Sequence, residues 1–259
     1  MTRASGDRAV QDRVIRALAD ARYRASPAWQ AYRLADPDRV ERYARFLARH
    51  FYYERIVQFF KYSRSLARVT GRAPEAVLNG DGFEVLLRSV VLGSQETAQA
   101  VARLVVAHVA AARAPIPYLA DLLRYEEAMM LVEAGPRVWR ETGNGEAGNG
   151  KGEPPQTVAG TRLLDLAYDL PAVLPKLLEP WTEVPRAPER PTQLLVARSP
   201  HGRVAVAKSD AGIAAVVGLA DGKRTLEQLA AGAGLPVGTL QATLQGLVEL
   251  GAVRFSTGS

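Results

Sequence analysis

Three histidines, His50, His108 and His201, are the only imidazoles in the chain. No HxH, HxxxH or HExxH spacing joins them, so they predict no metal site. His108 falls on an apolar helical face with Val101, Leu104, Val105 and Val109, which predicts a buried, hydrogen-bonded structural histidine. Glu126 and Glu127 are adjacent. On a helix neighbours diverge by about 100°, so these two do not form the facing carboxylate pair that acid–base chemistry needs. Arg124 and Glu127 have the spacing of an ordinary helix-surface ion pair. The serines lack a GxSxG elbow and the glycines a GxGxxG fingerprint. Lys151 is followed by Gly and Glu, not by the Ser or Thr of a phosphate loop. With no cysteine in the chain, thiolate nucleophiles, thiolate metal sites and disulfides are excluded. The expectation is a chain that is not an enzyme, with no catalytic residue, metal or cofactor of its own.

If the chain does no chemistry, its elements must present surfaces that hold something. The length of 259 residues allows about two domains, and 47% apolar content supports packed cores. No apolar run reaches the roughly 18 residues that span a membrane. The start, MTRASGDRAVQDRV, has no apolar signal core, so a cytoplasmic protein is expected. The net charge of +6 is uneven. Residues 1–68 carry 15 Lys+Arg against 7 Asp+Glu, and the remainder sums to −2. A basic half suits an acidic protein partner, nucleic acid, or simply a solvated arginine-rich helix face.

The first half reads as all helical. Val10, Val14, Leu18 and Ala21 recur at helical steps within residues 7–24. Asp36-Pro37 opens a long helix over Arg39–Val69, and Gly71 fits its stop. That segment holds too many aromatics for one stripe (Tyr43, Phe46, Phe51, Tyr52, Tyr53, Phe59, Phe60, Tyr62). It is therefore either buried on several sides or broken near His50. Helices over Phe83–Leu92, Ser94–Ala112 and from Pro117 onward follow. TGNGEAGNGKGEPPQ, residues 142–156, reads as a flexible linker. The expected domains are a helical bundle over 1–141, this linker, and a second domain over 157–259.

The second domain has a different texture. Residues 193–256 read as a winged-helix-like module, which makes the expected fold class α+β. Gln193–Arg198 and Arg203–Lys208 form a hairpin turned by Pro200-His201-Gly202. Helices follow over Ala211–Leu219, capped by Ser209 or Asp210, then Leu226–Ala231 with a Thr225/Gln228 capping box, then Val237–Leu250 with Gly251 at its C′ position. Ala252–Phe255 closes as a strand.

Several segments resemble the partner proteins of multinuclear non-haem iron-dependent oxidative enzymes, TIM-barrel enzymes that modify ribosomally made peptides. IPYLADLLRYEEAMMLVEAG (116–135) is the nearest piece, with Glu127 where the family pattern has Trp. ERYARFLARHFYYERIVQFFKYSRSLARVTG, TRLLDLAYDLPAVL and LLVARSPHGRVAVAKSDAGIAAVVGLADGKRTLEQLA are similar in order and spacing. DGKRTLEQLA (221–230) resembles peptide-recognition elements of the PqqD type. The resemblance implies a non-catalytic subunit of a heterodimer that presents a precursor peptide, leader or core, to the enzyme. The iron is expected in that partner. Pro117, Tyr118, Arg124 and Tyr125 are the expected enzyme interface. The peptide is expected to add as a strand in a groove between Arg203–Lys208 and Val237–Leu250. Val204 and Val206 form one wall and Leu240 and Leu244 the other, while Arg203 and Lys208 meet acidic peptide residues. The two leucines read equally as plain core.

The competing reading is a winged-helix DNA-binding regulator. Val237–Leu250 offers Thr239, Gln241, Thr243 and Gln245 to bases but no Arg or Lys, which weighs against nucleic acid.

Overall fold

The computed structural model describes residues 3–32, 36–138 and 154–255. They form two compact units, Met1–Pro115 and Ile116–Ser259. The first is helical and the second mixes helices with small antiparallel sheets. The boundary falls at Pro115, so the helix after it belongs to the second unit and not to the bundle expected over 1–141. The expected linker lies mostly outside the described residues. Its last residues do not: Pro155 and Gln156 already belong to a strand.

The first unit opens with α1 (Arg3–Ala19). The expected single helix over 7–24 is interrupted at Asp20, whose carboxylate caps α2 (Ala21–Arg24) by accepting from the Tyr23 N–H. Ser26 caps α3 (Pro27–Gln30) in the same way. Asp36 and Pro37 start α4 (Pro37–Phe59) as cap and first residue. This helix runs unbroken past His50 and is not buried on all sides. Ala44, Ala48, Tyr52, Ile56 and Phe59 pack inward, while Tyr43, Phe46 and Tyr53 face solvent. The break comes at Phe60, before α5 (Lys61–Ser65) and α6 (Ala67–Thr70), and left-handed Gly71 ends the run. A 3-10 turn (Pro74–Asn79), α7 (Asp81–Leu86) and α8 (Gln95–Ala110, capped by Ser94) complete the unit.

The second unit begins with α9 (Leu119–Glu133), buried along most of its length. Then come β1 (Pro155–Thr157), β2 (Arg162–Leu166), α10 (Leu170–Leu178), β3 (Thr192–Arg198) and β4 (Val204–Ser209). β1 and β2 are separated by a turn at Gly160 (φ +94°). Three helices follow, α11 (Ala211–Leu219), α12 (Leu226–Ala233) and α13 (Val237–Leu250), and then β5 (Val253–Phe255). The sheet order is β2-β3-β4, all antiparallel, and β5 pairs with β1 in a separate two-stranded sheet.

Local chemistry fixes these elements. Ser199 to Gly202 closes the β3–β4 turn, with the Gly202 N–H donating to the Ser199 carbonyl and Gly202 at φ +79°. Asp210, not Ser209, caps α11 through the Ile213 N–H at 2.8 Å. Both bonds of the Thr225/Gln228 capping box form at α12.

The sheet is covered on both faces. Strand alternation sends Leu195 and Ala197 to one side, where they join Val216, Leu229, Leu240, Leu244 and Leu247 in one core. On the other side α9 packs against β2, β3 and β4. Two clasps hold α9 there. The Asp121 carboxylate accepts from the Ala167 N–H (2.6 Å) and the Tyr168 N–H (3.0 Å) just after β2. The Arg198 guanidinium donates to the Glu133 and Gly135 carbonyls at the C-terminal end of α9, where a cation complements the helix dipole.

Gly251 joins α13 to the sheet. Its φ is +85°, and a Cβ there would overlap the carbonyl oxygen of Arg198. Gly251→Ala adds a strained left-handed alanine to a backbone collision, so we expect a loss of more than about 2 kcal/mol. Urea unfolding of the two proteins measures it.

Candidate functional site

Among the described residues, β4 is an edge strand, hydrogen-bonded to β3 alone. Which of its groups point outward follows from the register. Ser199 donates its N–H to the Arg203 carbonyl at 2.8 Å, and Arg198 stands opposite Val204. In an antiparallel pair the hydrogen-bonded positions alternate. Arg203, Ala205, Ala207 and Ser209 therefore turn their N–H and C=O groups toward β3. Val204, Val206 and Lys208 turn theirs away, toward the open side. The sheet thus ends in three residues whose main-chain groups can pair with a further strand. By the same alternation the opposite edge, on β2, offers only Leu163 and Asp165. It is the shorter edge and carries an exposed carboxylate at Asp165.

The side chains around this edge divide by face. Val204, Val206 and Lys208 stand opposite Arg198, Val196 and Leu194, on the side where α9 packs. Ala205 and Ala207 stand opposite Ala197 and Leu195, on the side of α11, α12 and α13. Val204 and Val206 are half-buried, and Arg203 and Lys208 are exposed. Leu240 and Leu244 are 0% and 2% exposed, inside the core that Leu195 and Ala197 enter. The expected pocket does not form as drawn. The two valines and the two leucines lie on opposite faces of the sheet, so they cannot wall one groove, and the leucines are core. The side chains that do face the helices from β4 are Ala205 and Ala207, whose small size leaves room beside the open edge.

Lys208 is tied at one end of this edge. Its ammonium lies 3.5 Å from the Asp169 carboxylate, which also pairs with the Arg190 guanidinium. The Arg190 hydrogen bond is the chief reason that the Asp169 carboxyl titrates below its ordinary 3.8, with Lys208 adding to it against the cost of burial. Two cations share one carboxylate, so this end of the strand keeps a surplus positive charge.

The expected enzyme-contact residues separate in the same way. Pro117 and Arg124 are exposed, whereas Tyr118 and Tyr125 are buried. The Tyr118 hydroxyl donates to the Pro185 carbonyl at 2.8 Å, its ring meets Tyr168 edge-on, and burial pushes its pKa up to about 12. Both tyrosines are packing residues of the second unit. Arg124 pairs with Asp121 at 3.5 Å, not with Glu127. Glu126 is fully buried. His108 is half-buried, and burial lowers its pKa against a backbone hydrogen bond at Ala73; among the described residues its Nε2 has no partner, so the expected hydrogen-bonded histidine is satisfied in part.

Among the described residues no group of three or more His, Asp or Glu side chains gathers where a metal ion could be held. Nor is any described helix long and apolar enough to cross a membrane. The chain matches no protein-family model and no curated protein sequence.

Asp169→Asn removes the charge that Arg190 and Lys208 share. Both cations are more than half exposed and rehydrate, so the expected loss at pH 7 is modest, about 1 kcal/mol. A carboxyl whose folded pKa is depressed stabilises fully above its unfolded value and loses that contribution as pH falls through the folded value. The gap between wild type and variant should hold from pH 7 to about pH 5 and narrow below about pH 4. Denaturant titrations across that range test it.

Proposed function

We propose that this chain is a non-catalytic partner subunit that binds a ribosomally made precursor peptide along the open edge of β4 and presents it to an iron-dependent oxidative enzyme. The observation that carries the peptide half of the reading is the edge itself. Val204, Val206 and Lys208 hold their main-chain N–H and C=O groups outward while α9 and the α11–α13 core close the two faces. β-Augmentation uses such an edge: main-chain hydrogen bonds supply grip and alternate side chains supply register. A three-stranded antiparallel sheet followed by three helices is also the order expected of a winged-helix-like recognition element, which supports the resemblance of 221–230 to that class. The surplus positive charge at Lys208 and Arg190, with Arg203 at the other end of β4, favours acidic residues in the peptide and acts more on steering than on affinity.

The enzyme half rests on the resemblance of 116–135 and the segments around it. With Tyr118 and Tyr125 inside the second unit, Pro117 and Arg124 are the members of that proposed contact still open to a partner. The alternative of a DNA-reading module is disfavoured at α13, which has no Arg or Lys to meet bases or phosphates.

The test uses Val206→Pro. Proline removes an N–H that β3 does not use, and edge positions of this kind tolerate it. The tagged wild type and variant are purified from the source cell and assayed for proteins, peptides and iron. The wild type is expected to bring down an iron-containing enzyme and a short peptide. The variant should keep the enzyme, lose at least about 90% of the peptide, and unfold within a few degrees of wild type. Nucleic acid released by salt, with neither enzyme nor peptide, would overturn the proposal in favour of the DNA regulator.

A further inference from the structure

α4 is apolar on two sides. Its inward face is Ala44, Ala48, Tyr52, Ile56 and Phe59. On the outward face Tyr43, Phe46 and Tyr53 are 52%, 59% and 43% exposed. Tyr43 stacks on Phe46 and Phe46 on His50, both pairs with centroids 6.2 Å apart. Positions 43, 46, 50 and 53 follow the i, i+3, i+7, i+10 rule, so they form one stripe about 15 Å long. The inward face already anchors the helix, and none of these rings is needed for that packing. A contiguous outward stripe of large aromatics marks an interaction surface.

We propose that this stripe docks a folded protein that receives it in an apolar groove rimmed by carboxylates. The spacing is that of a helix laid into a groove, and tyrosine and phenylalanine are the residue types that anchor such contacts. The sign of the rim follows from charge. Arg39 and Arg42 flank the start of the stripe, and Arg45 and Arg49 share the single carboxylate of Glu84 beside it. The unit around it, residues 1–115, holds 19 Lys+Arg against 11 Asp+Glu. An acidic rim complements that field and speeds encounter.

A second copy fits less well, because it would press one convex helix on another. At half exposure the four rings offer about 400 Å² per copy, roughly half of a standard interface. A groove reaches the flanks of the helix as well and so gains more. This inference rests on α4 and is independent of the peptide-binding reading of β4.

The full chain with Phe46 replaced by photoreactive p-benzoylphenylalanine is irradiated in its source cell, and the adduct is identified by mass spectrometry. The adduct protein is then purified and titrated against wild type and the Phe46→Ser, Tyr53→Ser double variant. One adduct protein is expected. It should bind the double variant at least about 30-fold more weakly, as loss of hot-spot side chains implies. Its affinity for wild type should fall several-fold between about 0.1 and 0.5 M salt. Both substituted side chains are exposed, so the variant should unfold at the wild-type midpoint. An adduct with a second copy or with nucleic acid, no adduct, or an affinity unmoved by the substitutions or by salt would each overturn the proposal.

Discussion

A β-sheet with both faces covered can be reached only along its edges, and in the second unit that condition is met by two different kinds of contact. On the α11–α13 side the contact is apolar: Leu195 and Ala197 enter a core with Leu240, Leu244 and Leu247. On the α9 side charge fixes the helix, because Asp121 takes two N–H groups after β2 and Arg198 reaches the carbonyls that end α9. Buried main-chain groups must find partners. Along β4 the inward set finds them on β3, and the outward set at Val204, Val206 and Lys208 does not find them within the sheet. An exposed edge carries a risk of unwanted pairing, which short strands and edge lysines reduce. β4 is short and has Lys208, so it keeps its edge open at limited risk.

The same geometry decides how such an edge would discriminate among peptides. Main-chain pairing grips any extended chain, so choice must come from the side chains on either face of the added strand. Toward α11–α13 the neighbours are Ala205 and Ala207, which leave volume. Toward α9 they are Val204, Val206 and the stem of Lys208, which fill it. An incoming strand would therefore find room for its larger side chains at every second position on the helical side. Lys208 is already half-neutralised by Asp169, so it biases the charge of the ligand without demanding a buried ion pair.

What could be read from the sequence was local. The β3–β4 turn, the caps at Asp210 and Thr225, and the stop at Gly251 each depend on a few adjacent residues, and each forms. The strand faces were not readable, because assigning them needs the pairing register. A one-residue difference moves Val204 and Val206 from the α13 side to the α9 side. The place of α9 was hidden for a related reason. Leu119, Leu122, Leu123, Tyr125, Ala128 and Met130 surround its axis, so it has no single polar stripe to show which neighbours it serves. Tyr118 and Tyr125 looked like contact residues because hot-spot types and core types overlap in tyrosine.

α4 extends that last point in the opposite direction. Its aromatics are too many for one stripe, which burial on several sides or a break near His50 would explain. A third explanation is open: a helix with one apolar stripe for its own unit and another turned to solvent. Periodicity records that both stripes exist but not which is inward, because Tyr52 and Tyr53 are the same residue type, one buried and one exposed. If the outward stripe holds one protein while the edge of β4 holds a peptide, one chain joins two ligands through surfaces that lie on separate units and share no residue. Binding of the second then becomes intramolecular, with an effective concentration set by the chain between them. A partner with no catalytic group of its own can raise a reaction rate by that route alone, by holding the reacting residue where the enzyme can reach it.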